Sequence, residues 1–274
     1  MSIIDKPSDY FETKLYTGTQ QARNITGLDF APNWVWIKKR TGASGTSNHY
    51  LFDSVRGASK TLFSNATNAE DTNTNSLTAF NSDGFSLGND TDVNVNNGTF
   101  VSWNWKAGTS FSNNSGANGA SLASTGSVST TAGFSIISWT SPNSNANTIA
   151  HGLGSVPEMI IMKKRGSSGG WVVYHQAMGN THGMFLSTTN AKEDNAGFFN
   201  DTSPTSAVFT TGSDDGLINN TMIAYCFSEK TGFSKFGSYT GNGNADGTFV
   251  FLGFKPAFVT VSYTHLTLPT IYSV

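Results

Sequence analysis

One short sequence pattern occurs twice in full and once in part, and this repetition limits the possible folds more than any single residue does. Residues 27–40 (GLDFAPNWVWIKKR) and residues 152–165 (GLGSVPEMIIMKKR) share the order Gly-Leu, Pro, apolar run, Lys-Lys-Arg. Residues 252–259 (LGFKPAFV) begin the same pattern and then depart from it. Self-similarity of this kind indicates tandem structural units that repeat one supersecondary arrangement.

The apolar residues within each unit follow the periods of β-strands. In residues 34–37 and 159–162, side chains on both faces of an extended strand would be apolar. This predicts central strands covered on both faces, and the Lys-Lys-Arg ends are expected to emerge into water. Residues 101–106 and 223–228 alternate bulky with small polar side chains, which predicts half-covered strands. Asp83-Gly84 indicates a tight hairpin. The fold class predicted is all-β, as tandem antiparallel β-sandwich repeats of the jelly-roll or lectin-like kind.

The repeat boundaries divide the chain into five parts. Between the two complete units lies a stretch rich in Gly, Ser, Ala, Asn and Thr, which by composition predicts a linker, either flexible or laid as an extended strip over a neighbouring surface. The predicted parts are sandwich repeat 1 (1–109), the linker (110–133), sandwich repeat 2 (134–232), the truncated start of a third repeat (233–260) and a tail (261–274).

The tail interrupts the third repeat where a Lys-rich strand end is due. Residues 261–270 (VSYTHLTLPT) resemble a translated sequencing-library adapter, so we interpret 261–274 as an artefact of cloning or assembly. On that interpretation the natural protein continues beyond Thr260. The alternative is a true C-terminal strand, because Val, Tyr, Thr and Leu suit β structure.

Composition excludes several classes of protein. Charged residues are 12% of the chain and the net charge is −2, so no basic surface for nucleic acid is expected. Cys226 is the one cysteine, which leaves no intramolecular disulfide and no cysteine metal site. No secretory signal and no membrane span is visible, so we expect synthesis in a cytoplasm without membrane insertion. No cofactor and no metal are predicted.

Several longer motifs resemble one family. They are residues 7–18 (PSDYFETKLYTG), 34–38 (WVWIK), 51–57 (LFDSVRG), 82–88 (SDGFSLG) and 233–242 (FSKFGSYTGN). The chain is similar in these motifs to an uncharacterised repeat-domain family of tailed, often marine, bacteriophages, found in virion and tail-fibre proteins. The resemblance implies a phage structural or host-adhesion protein with a lectin-like β-sandwich. It carries no catalytic residues over to this chain.

Aromatic side chains and one arginine are the candidate surface-contact residues. Trp34, Trp36, Trp103 and Trp105 belong to repeat 1, and repeat 2 has smaller or different residues at the matching places. Rings on a sheet face either pack in a core, the favoured interpretation, or stack on sugars of a host glycan. Arg56 either pairs with a carboxylate around the turn at residue 57, stacks on a ring, or contacts a ligand.

The other polar motifs have plainer interpretations. The acidic pairs at 70–71 and 193–194 are adjacent residues, which point to opposite faces of an extended segment and suit solvated turns better than acid–base catalysis. Asp90, Asp92 and Asn94 have calcium-loop spacing, but Val95 stands where that loop needs glycine, so a surface turn is favoured. The Lys-Lys-Arg triplets are expected to protect exposed strand edges.

The sequence therefore predicts a non-enzymatic virion module, part of a tail fibre or similar appendage, with a host-surface glycan as a candidate ligand. The alternatives are a polysaccharide depolymerase of the phage tail and a purely structural capsid or tail decoration protein. The expected partners are other virion proteins and a host cell-surface polysaccharide, with a homotrimer as the candidate assembly.

Overall fold

A computed structural model describes residues 4–42, 48–142, 146–262 and 270–273, and the regular secondary structure within them is almost entirely β-strand. The predicted all-β class is confirmed, because the sheets are antiparallel and the two α-helices have four residues each. No helix among the described residues is long and apolar enough to cross a membrane.

The described residues of repeat 1 form nine strands, one short α-helix and one 3-10 helix (Pro7–Asp9). The strands pair into a six-stranded sheet (β1-β9-β3-β4-β5-β6) and a three-stranded sheet (β2-β8-β7), the two layers of one sandwich. In chain order they are β1 (Phe11–Thr17), β2 (Arg23–Ile25), β3 (Trp34–Thr41), β4 (His49–Asp53), β5 (Lys60–Phe63), β6 (Asp71–Thr72), β7 (Leu77–Asn81), β8 (Gly84–Leu87), α1 (Thr91–Asn94) and β9 (Thr99–Trp105).

Repeat 2 has a related plan, with two strands added at one edge of its large sheet and one described strand fewer in its small sheet. Its large sheet runs β10-β11-β12-β19-β14-β15-β16-β17, and its small sheet pairs β13 with β18. The elements are β10 (Thr109–Asn113), β11 (Ser124–Ser129), β12 (Phe134–Ser141), β13 (Asn147–Ala150), β14 (Met159–Lys164), β15 (Trp171–His175), β16 (His182–Phe185), β17 (Glu193–Asp194), α2 (Ala196–Phe199), β18 (Val208–Thr211) and β19 (Asn220–Phe227); β20 (Phe258–Val261) pairs with β21 (Thr270–Ser273) beyond it.

The segment predicted to be a linker lies along repeat 2 as extended strands, which agrees with the predicted extended strip and not with a flexible linker. It contributes β10 and β11, and β11 is hydrogen-bonded along its length to β12. Phe111, Leu122 and Val128 pack against the core of repeat 2, which anchors an otherwise polar stretch as sheet. Composition alone pointed to a linker because these three anchors are diluted among small residues.

The two repeats pack through their large sheets, which produces four layers. One buried core fills the sandwich of repeat 1 and a second fills that of repeat 2. A third core contains side chains of both large sheets, so it lies between the repeats. The order is small sheet, large sheet, large sheet, small sheet, and each large sheet is covered on both faces.

The strands predicted to be covered on one face are covered on both faces in this arrangement. In β9 the small polar side chains Ser102 and Asn104 are buried as completely as Trp103. The bulky side of the strand faces repeat 2, and the small polar side faces the interior of repeat 1. The sequence of the strand could not show that both faces are covered, because the sheet that covers its bulky face belongs to the other repeat.

The Lys-Lys-Arg triplets also differ from their predicted role. Strands β3 and β14 are interior strands of their sheets, as predicted, but neither triplet protects an exposed edge. Lys163 is fully buried, and its Nζ donates to the carbonyl oxygens of Thr67, Lys164 and Gly169. Burial and the charge of Lys164 lower the pKa of Lys163 to about 8. The lysine therefore links β14 to repeat 1.

The hairpin predicted at Asp83-Gly84 is present. Strands β7 and β8 pair with Asn81 opposite Gly84, so Ser82 and Asp83 form the two-residue turn.

The partial third repeat adds few strands. Residues 236–257 lie outside any helix or strand. Strand β21 includes part of the adapter-like tail, and residues 263–269 of that tail lie outside the described residues. Its origin stays a prediction.

Candidate functional site

The four candidate tryptophans lie in the layer between the repeats. The Trp34 ring is stacked on Tyr225 of repeat 2, with centroids 4.3 Å apart, and its centroid is 4.4 Å from that of Trp105. Trp36 and Trp103 form an edge-to-face pair at 6.0 Å. All four residues are buried. We call the four tryptophans, together with Phe134 and Phe227 of repeat 2, the aromatic layer. This layer lies where the two large sheets meet.

Burial corrects the candidate role of these rings in glycan contact. A sugar can stack only on a ring face that reaches solvent, and these four rings are buried under residues of other strands. Trp34 contacts Tyr225 and Phe227 of β19, Trp105 contacts Phe134 of β12, and both Trp36 and Trp103 contact Phe258 of β20. The rings therefore pack in a core, which is the interpretation that the sequence favoured.

Arg56 is likewise buried, at the centre of a network that joins the repeats. Its Nε donates to the Asp53 carboxylate, and its Nη2 donates to the Leu51 carbonyl oxygen at 2.9 Å. The Tyr225 hydroxyl of repeat 2 donates to the same Asp53 carboxylate at 2.7 Å. Of the interpretations left open by the sequence, pairing with Asp53 is the one found. No ligand contact is available to a guanidinium enclosed in this way.

Glu70 extends the network to a second arginine. It accepts hydrogen bonds from Arg165 of repeat 2 at 2.9 and 3.0 Å and from Arg56 at 3.2 Å. Burial acts to raise the pKa of Glu70, but the Arg165 hydrogen bonds and the two arginine charges outweigh it, so the pKa is lowered. The predicted solvated turn is therefore incorrect for Glu70, whereas Asp71 is exposed. We call Asp53, Arg56, Glu70, Arg165 and Tyr225 the buried ion network.

The remaining polar candidates serve local structure. Asp90 caps α1, with its carboxylate accepting from the Asp92 amide at 3.0 Å. The Asn94 side chain is buried and donates to the carbonyl oxygens of Gln21 and Gly88. The spacing that suggested calcium thus forms a short helix instead of the predicted turn. Within the described residues, no cluster of three potential metal ligands occurs.

Trp36 gives the aromatic layer a dependence on pH. Its Nε1 donates to Nδ1 of His49 at 2.9 Å, so this nitrogen must be unprotonated. Burial and the charge of Lys38 lower the pKa of His49 to about 4. Between pH 6.5 and 4 the unfolded chain therefore binds a proton that the folded chain does not, and stability falls as the pH falls.

We expect the His49→Asn variant to lose less stability than the wild type over this window. The Asn carbonyl oxygen can take the place of Nδ1 as acceptor, and it does not titrate. The measurement is urea unfolding at pH 6.5 and at pH 4, and the expected difference between the two proteins is on the order of 1–3 kcal/mol. His151 and His175 also have lowered pKa values, and they contribute equally to the pH dependence of stability in the two proteins. Equal losses in the two proteins would contradict the assignment.

A groove lies at the open edge of repeat 1. It lies between β1, the edge strand of the large sheet, and β2, the edge strand of the small sheet. Its volume is about 490 Å³. We call it the edge groove, and its lining residues are Lys14, Leu15, Tyr16, Thr17, Gly18, Thr19, Arg23, Asn24, Ile25, Thr26, Asn96 and Asn97.

The floor of the edge groove is held rigidly by the segment that follows α1. Gly18 exchanges backbone hydrogen bonds with Gly98 and Asn97, at 2.7 and 3.0 Å. A side chain at Gly18 would collide with the carbonyl of Val95, so this approach requires glycine. The Tyr16 hydroxyl donates to the Val93 carbonyl oxygen at 2.8 Å. The groove is therefore formed in advance of any ligand.

The chemistry of the edge groove is cationic and rich in hydrogen-bonding groups. Lys14 and Arg23 are its charged residues, and neither forms an ion pair with a carboxylate in the described part of the chain. Arg23 donates through Nη1 to the Thr17 carbonyl oxygen at 2.6 Å, which leaves its other N–H groups for a ligand. Asn24, Asn96 and several threonines supply amides and hydroxyls beside the exposed Leu15. Such a set suits an anionic, hydroxyl-rich molecule.

The matching edge of repeat 2 is closed. Strand β12 occupies the place that β1 has in repeat 1, but β11 is paired to its outer side and β10 to β11. Strands β10 and β11 thus cover this edge of repeat 2, whereas the matching edge of repeat 1 stays open.

Comparison with known families gives one match. The model of a family described as "Domain of unknown function (DUF7483)" matches residues 6–269. The chain belongs to the DUF7483 family. The searches of curated proteins and of solved structures gave no match. The DUF7483 match covers both sandwiches, the start of the third repeat and residues 261–269 of the tail.

Sequence reasoning missed the edge groove of this DUF7483 chain. Lys14 and Arg23 are nine residues apart in an unremarkable polar stretch, and Asn96 and Asn97 follow some seventy residues later. Two signals were present, the Tyr-Thr-Gly triplet at 16–18 and the turn at Asn96-Asn97-Gly98, but neither indicates a cation pair without the fold.

Proposed function

We propose that this chain is a non-enzymatic structural and adhesion module of a bacteriophage virion, and that the edge groove binds an acidic host-surface glycan. The observation that carries the binding part is the pair of cations, Lys14 and Arg23, in a groove whose other polar groups are amides and hydroxyls. Carboxylated or sulfated polysaccharides present anionic groups to such cations and hydroxyls to such amides.

The four-layer stack supports the structural part of the proposal. An adhesin on a particle must transmit force and resist proteolysis, which favours repeats without a free hinge. Here the aromatic layer and the buried ion network fix the two sandwiches to each other. Backbone hydrogen bonds add to this, from Glu70 to Arg165 and from Gly169 to Thr67, each at 2.8 Å. The resemblance to phage virion proteins supplies the biological setting.

A glycan array with neutral, carboxylated and sulfated bacterial polysaccharides tests the binding part. We expect binding to acidic glycans, with salt weakening it because the contacts are charged. Lys14→Ala combined with Arg23→Ala should weaken it by on the order of tenfold or more, because charge-assisted hydrogen bonds are lost.

The matched control is Lys60→Ala with Lys106→Ala, which removes the same charge outside the edge groove. This control should bind as the wild type does. Absence of binding to every acidic glycan, or equal loss in the two double variants, would contradict a specific groove.

The virion part needs a separate measurement. Peptides of this chain should be found by mass spectrometry in purified particles of a phage that encodes it, at a constant ratio to the major tail proteins. Recovery only from the lysate, with none in particles, would refute the virion assignment and leave the groove chemistry intact.

A further inference from the structure

The core between repeats 1 and 2 has a third contributor, which is the start of the third repeat. Phe258 of β20 lies two residues after a proline, as Trp34 of β3 and Met159 of β14 do, so the three residues hold the same position in the three repeats. The Phe258 side chain packs against the core that repeats 1 and 2 share. The third repeat is therefore joined to the same interior as the other two.

Strand pairing identifies the matching positions on the first and last strands of the repeats. Phe11 lies opposite Trp105 in the pair β1–β9, and Phe134 lies opposite Phe227 in the pair β12–β19. The central strands β3 and β14 place their matching residues opposite the same two partners. Phe11 thus matches Phe134 on the first strand, and Trp105 matches Phe227 on the last strand.

A contact between a central strand and a last strand occurs twice, and the two contacts follow a cyclic order. The Trp34 ring of repeat 1 lies 6.1 Å from the Phe227 ring of repeat 2, between centroids. The Phe258 ring of repeat 3 lies 5.4 Å from the Trp105 ring of repeat 1. The central strand of repeat 1 thus packs on the last strand of repeat 2, and that of repeat 3 packs on the last strand of repeat 1.

The first strands repeat this order. Phe134 of repeat 2 packs on Trp34 of repeat 1, with centroids 5.6 Å apart. Phe11 of repeat 1 packs on Phe258 of repeat 3, with centroids 5.9 Å apart. Each contact joins the first strand of one repeat to the central strand of the repeat before it, with repeat 1 following repeat 3. Contacts between the first and third units of a row indicate a ring and not a linear array.

Repeats 2 and 3 share one contact of the same pattern. Phe236 lies three residues before the Tyr-Thr-Gly triplet at 239–241, so it belongs to the segment that matches β1. Its ring packs on Phe227 of the last strand of repeat 2, at 5.9 Å. The matching contact between repeats 1 and 2 joins Phe134 to Trp105, at 6.4 Å. All three pairs of repeats are therefore in contact through their first, central or last strands.

Met159 is the position at which the ring lacks a contact. The matching residue Trp34 is 1% exposed under the strands of repeat 2, whereas Met159 is only partly buried. In the cyclic order, Met159 faces the last strand of the third repeat. Among the described residues of that repeat, no strand takes this place.

We propose that three repeats form a closed ring around one shared core, related by an approximate threefold axis, and that Met159 is the docking position for the last strand of the third repeat. Head-to-tail contacts of one kind close into a ring when the rotation allows it. The occupant is a segment of the same polypeptide, in agreement with the interpretation that the natural protein continues beyond Thr260. Such a ring differs from a homotrimer, because its three units belong to one chain.

Acrylamide quenching of tryptophan fluorescence tests the contact between repeats 3 and 1 in the full chain. Phe258→Ser should increase quenching and shift the emission to longer wavelength, because Trp36, Trp103 and Trp105 lose a ring that packs on them. The control is Phe251→Ser, which removes a ring that is 79% exposed and should leave quenching unchanged. Equal quenching in Phe258→Ser and the wild type would overturn the ring.

A chimera that completes the third repeat tests the docking position itself. Residues 37–107 of repeat 1 are joined after Thr260, which matches Trp36, so that the third repeat gains a last strand. The thiol of Met159→Cys should then react with a maleimide more slowly than in the 274-residue chain, by on the order of tenfold or more, because it is covered. Cys226 does not compete, since it is buried and burial raises the pKa of its thiol.

Val156→Cys is the matched control for the labelling experiment. Val156 is exposed, and the matching Ala31 is exposed in repeat 1, where the neighbouring central strand is covered. Its thiol should therefore react equally in the two chains. Equal reaction of Met159→Cys in the two chains would overturn the docking position. Rapid proteolysis of the residues added in the chimera would overturn it as well, because strands that complete the ring should be protected.

Discussion

Trp34→Ala is expected to destabilise the chain by about 3–5 kcal/mol. The Trp34 side chain is fully buried, and its ring contacts those of Trp105, Phe134 and Tyr225. Its indole N–H has no hydrogen-bond partner among the described residues, so the loss is one of packing. Because two of these rings belong to repeat 2, the cavity would open between the repeats. Denaturant unfolding followed by circular dichroism gives the free energy.

Trp139→Ala is the matched control for that experiment. Trp139 is also buried, but it packs within the sandwich of repeat 2, against Phe209. A similar loss of stability is expected, with the contact between the repeats intact. Binding of a hydrophobic dye below the unfolding transition should therefore increase for Trp34→Ala and not for Trp139→Ala. Equal dye binding by the two variants would show that Trp34 does not join the repeats.

Asp53→Asn should cost about 3–5 kcal/mol, because it removes the carboxylate that neutralises a fully buried arginine. Both side chains of the Asp53–Arg56 pair are shielded from solvent, and the Tyr225 hydroxyl donates to the same carboxylate. Glu70 remains near Arg56, but it also serves Arg165. Thermal and urea unfolding at pH 7 measure the effect.

The control for the buried pair is Glu229→Gln, which removes the partly exposed ion pair with Lys235. Ion pairs at the surface contribute about 0–1 kcal/mol, so this variant should remain close to the wild type. Tyr225→Phe should lower the free energy of unfolding by about 1.5–3 kcal/mol, between the effects of Asp53→Asn and Glu229→Gln, because it loses one hydrogen bond to a charged group. A cost for Asp53→Asn no larger than that for Glu229→Gln would refute the role of the network.

The sequence predicted those features that depend on local patterns. The repeated segment located both sandwiches, the apolar runs at 34–37 and 159–162 located the central strands, and Asp83-Gly84 located a hairpin. In each case neighbouring residues carry the signal, because strand period and turn chemistry are properties of a few consecutive positions.

Contacts between the repeats could not be predicted in the same way. Arg56 meets Tyr225 across 169 positions of sequence, and Glu70 meets Arg165 across 95. An alternating aromatic strand looks the same whether its bulky face meets solvent, a ligand or a second sheet. The edge groove depends on which strand edge is left open, and this was decided by β10 and β11, whose composition suggested a linker.

The four-layer stack changes where function is to be sought in this chain. The tryptophans that were candidates for sugar contact stabilise the interior, and the exposed cationic chemistry lies instead in the edge groove.

Differential scanning calorimetry tests most directly whether the two sandwiches form one body. The aromatic layer and the buried ion network predict a single transition whose calorimetric and van't Hoff enthalpies agree. Two resolved transitions in the wild type, one for each sandwich, would contradict the shared interior on which the placement of the tryptophans and of Arg56 depends.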